Sequence, residues 1–252
     1  MEGKKYLLKA IFILIFLSLS TSAIAYSQAD SYRQKIYNFY INGDMRGWQE
    51  VVKEVEAGTK SNSALKGELV NYYYGLIGYF ISVKDNKSAT LYTQKGEDII
   101  EEYLDRYPQS ATWLAYKAAF KGFRIGISNF KAITLGIQSM NLAKKAYSID
   151  PSNVQALTER GNVLYYSPSM VGGDKKEGIS YYEKAIEQIE KARDTKDNWH
   201  YLSLLTAVAR AYESAGNRSK AKTLYEKILV IEPGYKWVRD ELYPLFLQSR
   251  PV

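Results

Sequence analysis

From residue 29 onward, apolar residues recur three and four positions apart, and clusters of Gly, Asn, Asp and Pro interrupt them at intervals. That period predicts amphipathic helices joined in pairs by short breaks. The clearest stretch is YLSLLTAVARAYESAGNRSKAKTLYEKILVIEPGY. Leu205, Val208, Ala209 and Tyr212 share one stripe, Ala215-Gly216-Asn217 interrupts it, and Ala221, Tyr225 and Ile228 resume it before Pro233. Gly216 is expected in the left-handed conformation that ends the first helix, Asn217 as the cap of the second, and Pro233 as its stop. Small residues at Ala209 and Ala221 let the two helices approach, with Tyr212 and Tyr225 filling the space beside them.

Weaker copies of the pattern precede it. Leu157, Gly161 and Leu164 form a first stripe, and Gly178, Tyr182 and Ala185 a second. Ala143, Ala146 and Pro151 close a unit whose first helix begins around Trp113 and Phe120 and is lengthened by about three turns. Ile100, Tyr103 and Pro108 follow the apolar run Val70 to Phe80, while IYNFYINGDMRGWQEVV keeps a helix, a Gly43-Asp44 break and a Trp48 helix without the closing Pro. Alternating strand patterns around Asn-Gly or Asp-Gly turns are missing. The expectation is five helical hairpins near 29–62, 68–108, 110–153, 154–190 and 202–235, with an amphipathic capping helix over 236–247.

In the last hairpin, Tyr212 to Ala221 is nine residues, Ala221 to Tyr225 four, and Tyr225 to Pro233 eight. With these spacings the chain resembles the tetratricopeptide repeat (TPR) family. The resemblance implies an all-α, right-handed solenoid of stacked hairpins, a curved rod whose first helices line a concave groove. It further implies a non-catalytic scaffold that binds a protein or peptide in that groove. The groove residues so implied are Thr158, Asn162 and Tyr165 in the fourth unit and Thr206, Arg210 and Glu213 in the fifth, with Lys121 and Arg124 added by the long third unit.

The first 25 residues read as an export signal and stand outside the solenoid, which occupies 26–252. Lys4, Lys5 and Lys9 give a basic start, Leu7 to Leu19 is an almost uninterrupted apolar run, and Ala23-Ile24-Ala25 offers the small-x-small cleavage pattern. That run is shorter than the roughly 20 residues a membrane-spanning helix needs. A periplasmic or secreted protein without stable membrane insertion is expected, cut near Ala25.

The chain has no cysteine, which removes both disulfides and a lipid-modified Cys anchor. Packing must supply the stability, and 23 Tyr, 8 Phe and 4 Trp are available for it. The net charge of +7 is modest, and acidic and basic residues are read as alternating, without the basic block of a nucleic-acid binder.

Catalysis, metals and cofactors are disfavoured. His200 is the sole histidine, so neither a His-rich metal site nor a Ser-His-Asp triad forms without it, and its place beside Trp199 at a helix start reads as packing. The pairs Glu101-Glu102 and Glu187-Glu190 read as solvated helix faces. SPSMVGGDKKEG follows a helix rather than a strand and lacks the Lys-Ser/Thr of a phosphate loop. It reads instead as a long turn, with Pro168 ending one helix, Gly172 and Gly173 at positive φ, and Asp174 with Glu177 as a capping box.

The same loop resembles that of exported TPR proteins which serve as partner subunits of periplasmic solute transporters. That resemblance makes a transporter component one candidate partner. It also opens a second reading, a small-ligand-binding accessory of an uptake system, with its pocket near the loop 167–173 and the extension 120–134. The clusters Tyr72-Tyr73-Tyr74, Tyr165-Tyr166 and Tyr181-Tyr182 must place some phenols outside the packing stripe, since successive helical residues point about 100° apart.

Overall fold

The computed structural model describes residues 29–59, 65–128, 130 and 132–249. The export signal and its cleavage site lie outside the described residues. Helix α1 spans 29–42. It is followed by α2 (Met45–Gly58), α3 (Leu65–Ser82), α4 (Asn86–Arg106), α5 (Ala111–Ile127), α6 (Ala132–Ile149), α7 (Val154–Tyr166), a 3-10 turn (Ser169–Val171), α8 (Lys175–Lys191), α9 (Trp199–Ser214) and α10 (Arg218–Ile231). A π-helical turn over Trp237–Leu242 runs into α11 (Tyr243–Gln248). No strand occurs among the described residues.

Consecutive helices pack as antiparallel pairs, with α3 on α4, α5 on α6, α7 on α8 and α9 on α10, and α5 also packs directly on α3 and α7. The expected all-α solenoid is therefore observed. Its punctuation is local chemistry. Gly43 and Gly216 take positive φ, and Asp44, Asp85, Ser110, Asn153, Asp174, Asn198 and Asn217 each accept a backbone N–H in the first turn of the helix that follows.

At the α7–α8 crossing the two backbones approach closely. A Cβ on Gly161 would fall 2.6 Å from the Tyr182 ring, and one on Gly178 would fall 2.9 Å from the Tyr165 backbone nitrogen and 3.0 Å from the Gly161 oxygen. Backbone cannot swing aside as a side-chain tip can. Gly178→Ala should therefore cost about 2 kcal/mol, read as a lower urea midpoint. Gly122→Ala, at an exposed helical position where a Cβ meets nothing within 4 Å, should raise it instead, by the equivalent of about 0.5–1 kcal/mol, because alanine loses less conformational freedom in a helix.

Three details depart from the sequence reading. The third unit's extra length is not one long helix: the chain turns after Ile127, so α5 and α6 share the extension. In the long loop Gly172 has φ +91, but Gly173 has no positive φ; it is required because a Cβ there would collide with the Ser167 carbonyl oxygen. The capping box is half formed, since Asp174 Oδ1 accepts the Glu177 N–H at 2.9 Å while the Asp174 N–H donates to Leu164 O.

The C-terminal cap buries Val238 and Phe246, with Phe246 5.4 Å from the Tyr225 ring. Its first turn widens to a π-helix because Pro244 brings no N–H for the carbonyl four residues earlier.

The solenoid also closes on itself. Arg33 of α1 donates to Asp194 and to the carbonyls of Lys196 and Asp197 in the α8–α9 loop. Tyr37 donates to Glu232 at 2.8 Å, and Tyr235 to Tyr40 at 2.6 Å. The first and last hairpins meet, and the concave side is filled where an open rod would leave a groove.

Candidate functional site

Trp199, at the start of α9, occupies the middle of the concave side. Its ring meets Trp48 edge-on at 5.1 Å and Tyr40 at 5.7 Å, and its Nε1 donates to Asn71 Oδ1 at 2.8 Å. Asn71 in turn donates to Tyr116 at 3.2 Å. Tyr74 carries this aromatic cluster onward to His200, with ring centroids 6.0 Å apart.

Beside the cluster lies a polar network. Glu159 is 2% exposed and accepts from Gln155 at 2.8 Å and from Asn162 at 2.9 Å. Asn162 also donates to Tyr74 and accepts from Tyr182 at 2.7 Å. Burial raises the Glu159 carboxyl to about 7 against the pull of its hydrogen-bond donors, because an ionised carboxylate loses its hydration there. Burial likewise lowers His200 to about 4.

What remains open on the concave side is a cleft of about 500 Å³. Its wall is built from the N-terminal halves of the first helices: Gly67 and Asn71 of α3, Thr112 and Trp113 of α5, Gln155 of α7, and Trp199 and His200 of α9. Arg33 of α1 and the loop residues Asp194 and Asp197 complete the rim. Desolvation raises the pKa of Glu68, also in the wall. Asp197 holds a positive φ of 50° without being glycine, and its carbonyl is gripped by Arg33 at 3.2 Å.

The groove residues expected from the sequence are scattered by this arrangement. Thr158 and Thr206 are buried, and their hydroxyls donate to the carbonyls of Val154 and Leu202 in their own helices. Asn162 is engaged by three partners, as described. Glu213 accepts from Tyr225 at 2.9 Å, and Arg124 pairs with Glu97. Arg210 lies over the Trp237 ring at 5.6 Å, Tyr165 lies beside Tyr166, and Lys121 is half-exposed on α5. None of these eight lines the cleft. No residue of 120–134 or 167–173 lines the cleft either.

The sequence analysis missed Asn71, Gln155 and Arg33. One signal was available: Ser110, Asn153 and Asn198 cap successive first helices and so mark one edge of the stack, where the cleft opens. No group of three or more metal-ligating side chains exists among the described residues.

The architecture is that of a helical-hairpin solenoid. No family model matches the chain. Over 140 residues, 56% of this chain, it is 29% identical to Tetratricopeptide repeat protein 14 of Mus musculus, and the match spans 17% of that protein's length. Among solved structures it is similar to a thermophilic TPR protein of Thermus thermophilus, with a TM-score of 0.55 at 16% identity, covering 88% of this chain and all of that one. The crystal structure of MamA protein aligns at a TM-score of 0.36 and 20% identity, covering 72% of this chain and 90% of that one. The TPR-type fold is therefore shared, as expected from the repeat spacings.

Proposed function

We propose that the chain is an exported, non-catalytic interaction protein that receives a short segment of a protein partner in the cleft between α1, α3, α5, α7 and α9. The cleft itself carries this reading, because it combines amide side chains with aromatic faces. Asn71, Asn153 and Gln155 each spend one amide hydrogen on Tyr116, Thr112 and Glu159, which leaves a second amide hydrogen and carbonyl lone pairs for a polypeptide backbone, and Trp113 and Trp199 give apolar walls for a side chain. Export rests on the basic, apolar and small-residue succession of residues 1–25. It is checked by N-terminal sequencing of the processed protein, which should begin at Tyr26.

A second reading has its own observation. The volume of about 500 Å³ falls within the range of small-molecule sites, and closure by Arg33 narrows the mouth. A small polar ligand of an uptake system would fit that shape.

Gly67→Phe tests both. A Cβ at Gly67 meets only the Trp113 ring, at 3.9 Å, so an aromatic side chain there fills the cleft and leaves the fold intact. A photo-crosslinking residue at Thr112 should capture a protein from the cell envelope, and Gly67→Phe should abolish the capture with the thermal midpoint unchanged. Release of a small molecule on denaturation, lost in the same variant, would select the second reading. Capture that survives Gly67→Phe would remove the cleft from both.

A further inference from the structure

One segment departs from the alternation of charge read along the chain. Between Asp105 and Asp150 there is no Asp or Glu, while α5 and α6 carry Lys117, Lys121, Arg124, Lys144 and Lys145. Lys117 and Arg124 are paired with Glu101 and Glu97 of α4. Among the described residues, Lys121, Lys144 and Lys145 have no ion pair. The formal charge is thus concentrated on one hairpin.

The same hairpin also exposes large apolar side chains. Phe130 is 90% exposed, Ile133 78% and Ile137 54%. On α6, Ile133, Ile137, Met140 and Lys144 fall at i, i+4, i+7 and i+11, so they form one stripe along the helix. The stripe continues onto the α7–α8 loop, because the Cβ position of Gly172 lies 3.7 Å from Met140 Sδ. There Met170 is 96% exposed and Val171 51%. The loop adds apolar area without net charge, since Lys175 and Lys176 are balanced by Asp174 and Glu177. The two lengthened features of the chain therefore meet in one apolar surface with a basic border.

We propose that this surface docks peripherally on an anionic phospholipid bilayer. The apolar side chains enter the headgroup boundary, and Lys144, Lys145 and Lys121 remain at the phosphates. Charge decides between occupants. A second copy seated symmetrically on the patch would face the same unpaired lysines, whereas an anionic leaflet complements them. The side chains stand on a helix turn and a loop, not in a groove, which suits insertion into a fluid surface. No helix of the described residues is long and apolar enough to cross a membrane, so the contact is interfacial.

Co-sedimentation with vesicles tests this. Residues 1–25 are themselves basic and apolar, so every chain compared is the processed form that begins at Tyr26. Vesicles containing phosphatidylglycerol should bind the protein roughly tenfold or more tightly than phosphatidylcholine vesicles, and added salt should weaken the difference. The triple variant Ile133→Ser, Ile137→Ser, Met170→Ser should lose most of the binding. Lys144→Glu with Lys145→Glu should remove the lipid preference. All five positions are exposed, and an unchanged thermal midpoint confirms folding. Gly67→Phe, which fills the cleft, should bind vesicles like the parent, separating this surface from the cleft. Equal binding to both lipids, or a triple variant that sediments like the parent, overturns the proposal. So does binding to soluble polyglutamate but not to vesicles, which would assign the surface to an acidic protein.

Discussion

Trp199→Ala should destabilise the protein by about 4 kcal/mol, the scale for truncating a large buried aromatic. Trp199 is buried among Tyr40, Trp48, Tyr74 and His200, and these rings come from α1, α2, α3 and α9. The substitution removes the wedge that joins the first hairpin to the last, and it strands the Asn71 carbonyl as well. Urea unfolding should show the lower midpoint. Amide hydrogen exchange should speed up in α1 and α2 more than in α5 and α6, because the latter pair hold each other. Trp199→Phe keeps an aromatic in the wedge but loses the hydrogen bond and the volume of the second indole ring, so its cost should be smaller, about 2 kcal/mol. A loss below about 1 kcal/mol for Trp199→Ala would mean that closure does not rest on this residue.

The second large effect is a pH dependence concealed by opposition. Burial lifts Glu159 from 4.5 to about 7, so folding favours its protonated form. Its contribution is complete below pH 4.5 and is lost as the pH rises through 7. Burial lowers His200 from 6.5 to about 4, so its contribution is complete above pH 6.5 and is lost as the pH falls through 4. Between 4.5 and 6.5 the two slopes nearly cancel. Glu68, also raised, acts in the same direction as Glu159.

His200→Phe should remove one side of this balance and keep the aromatic packing. Stability of the variant should then fall by roughly 3 kcal/mol between pH 4.5 and 7.5, from a shift of about 2.5 units at 1.36 kcal/mol each. Denaturant unfolding across that range reads it directly. A flat profile in the variant would show that Glu159 keeps its hydration in the folded protein. Adding Glu159→Gln to His200→Phe should flatten most of the slope.

Much of the fold was legible because its determinants are local. Gly216 and Asn217 end one helix and begin the next through their own backbone and side-chain geometry, and Ala209, Ala221, Gly161 and Gly178 mark crossings by having no bulk to spare. Each signal acts within one turn or one hairpin. The site was less legible. Asn162 and Thr158 were expected to face an open groove from a first helix, whereas Thr158 is buried and the network from Tyr74 to Tyr182 engages Asn162. Glu159 gave no warning, since nothing beside it in sequence distinguishes a buried carboxylate from a solvated one.

By itself, then, the sequence determined the helices and their pairing, which follow from periodicity and single-residue conformational preference. Only the tertiary structure decided that α1 meets the α8–α9 loop and the segment after α10, where the cleft lies, and which lysines stand beside exposed apolar side chains. Those outcomes accumulate from the crossing angles of five successive hairpins. Contacts such as Arg33 with Asp197, 164 residues apart, leave no imprint on the spacing of their neighbours.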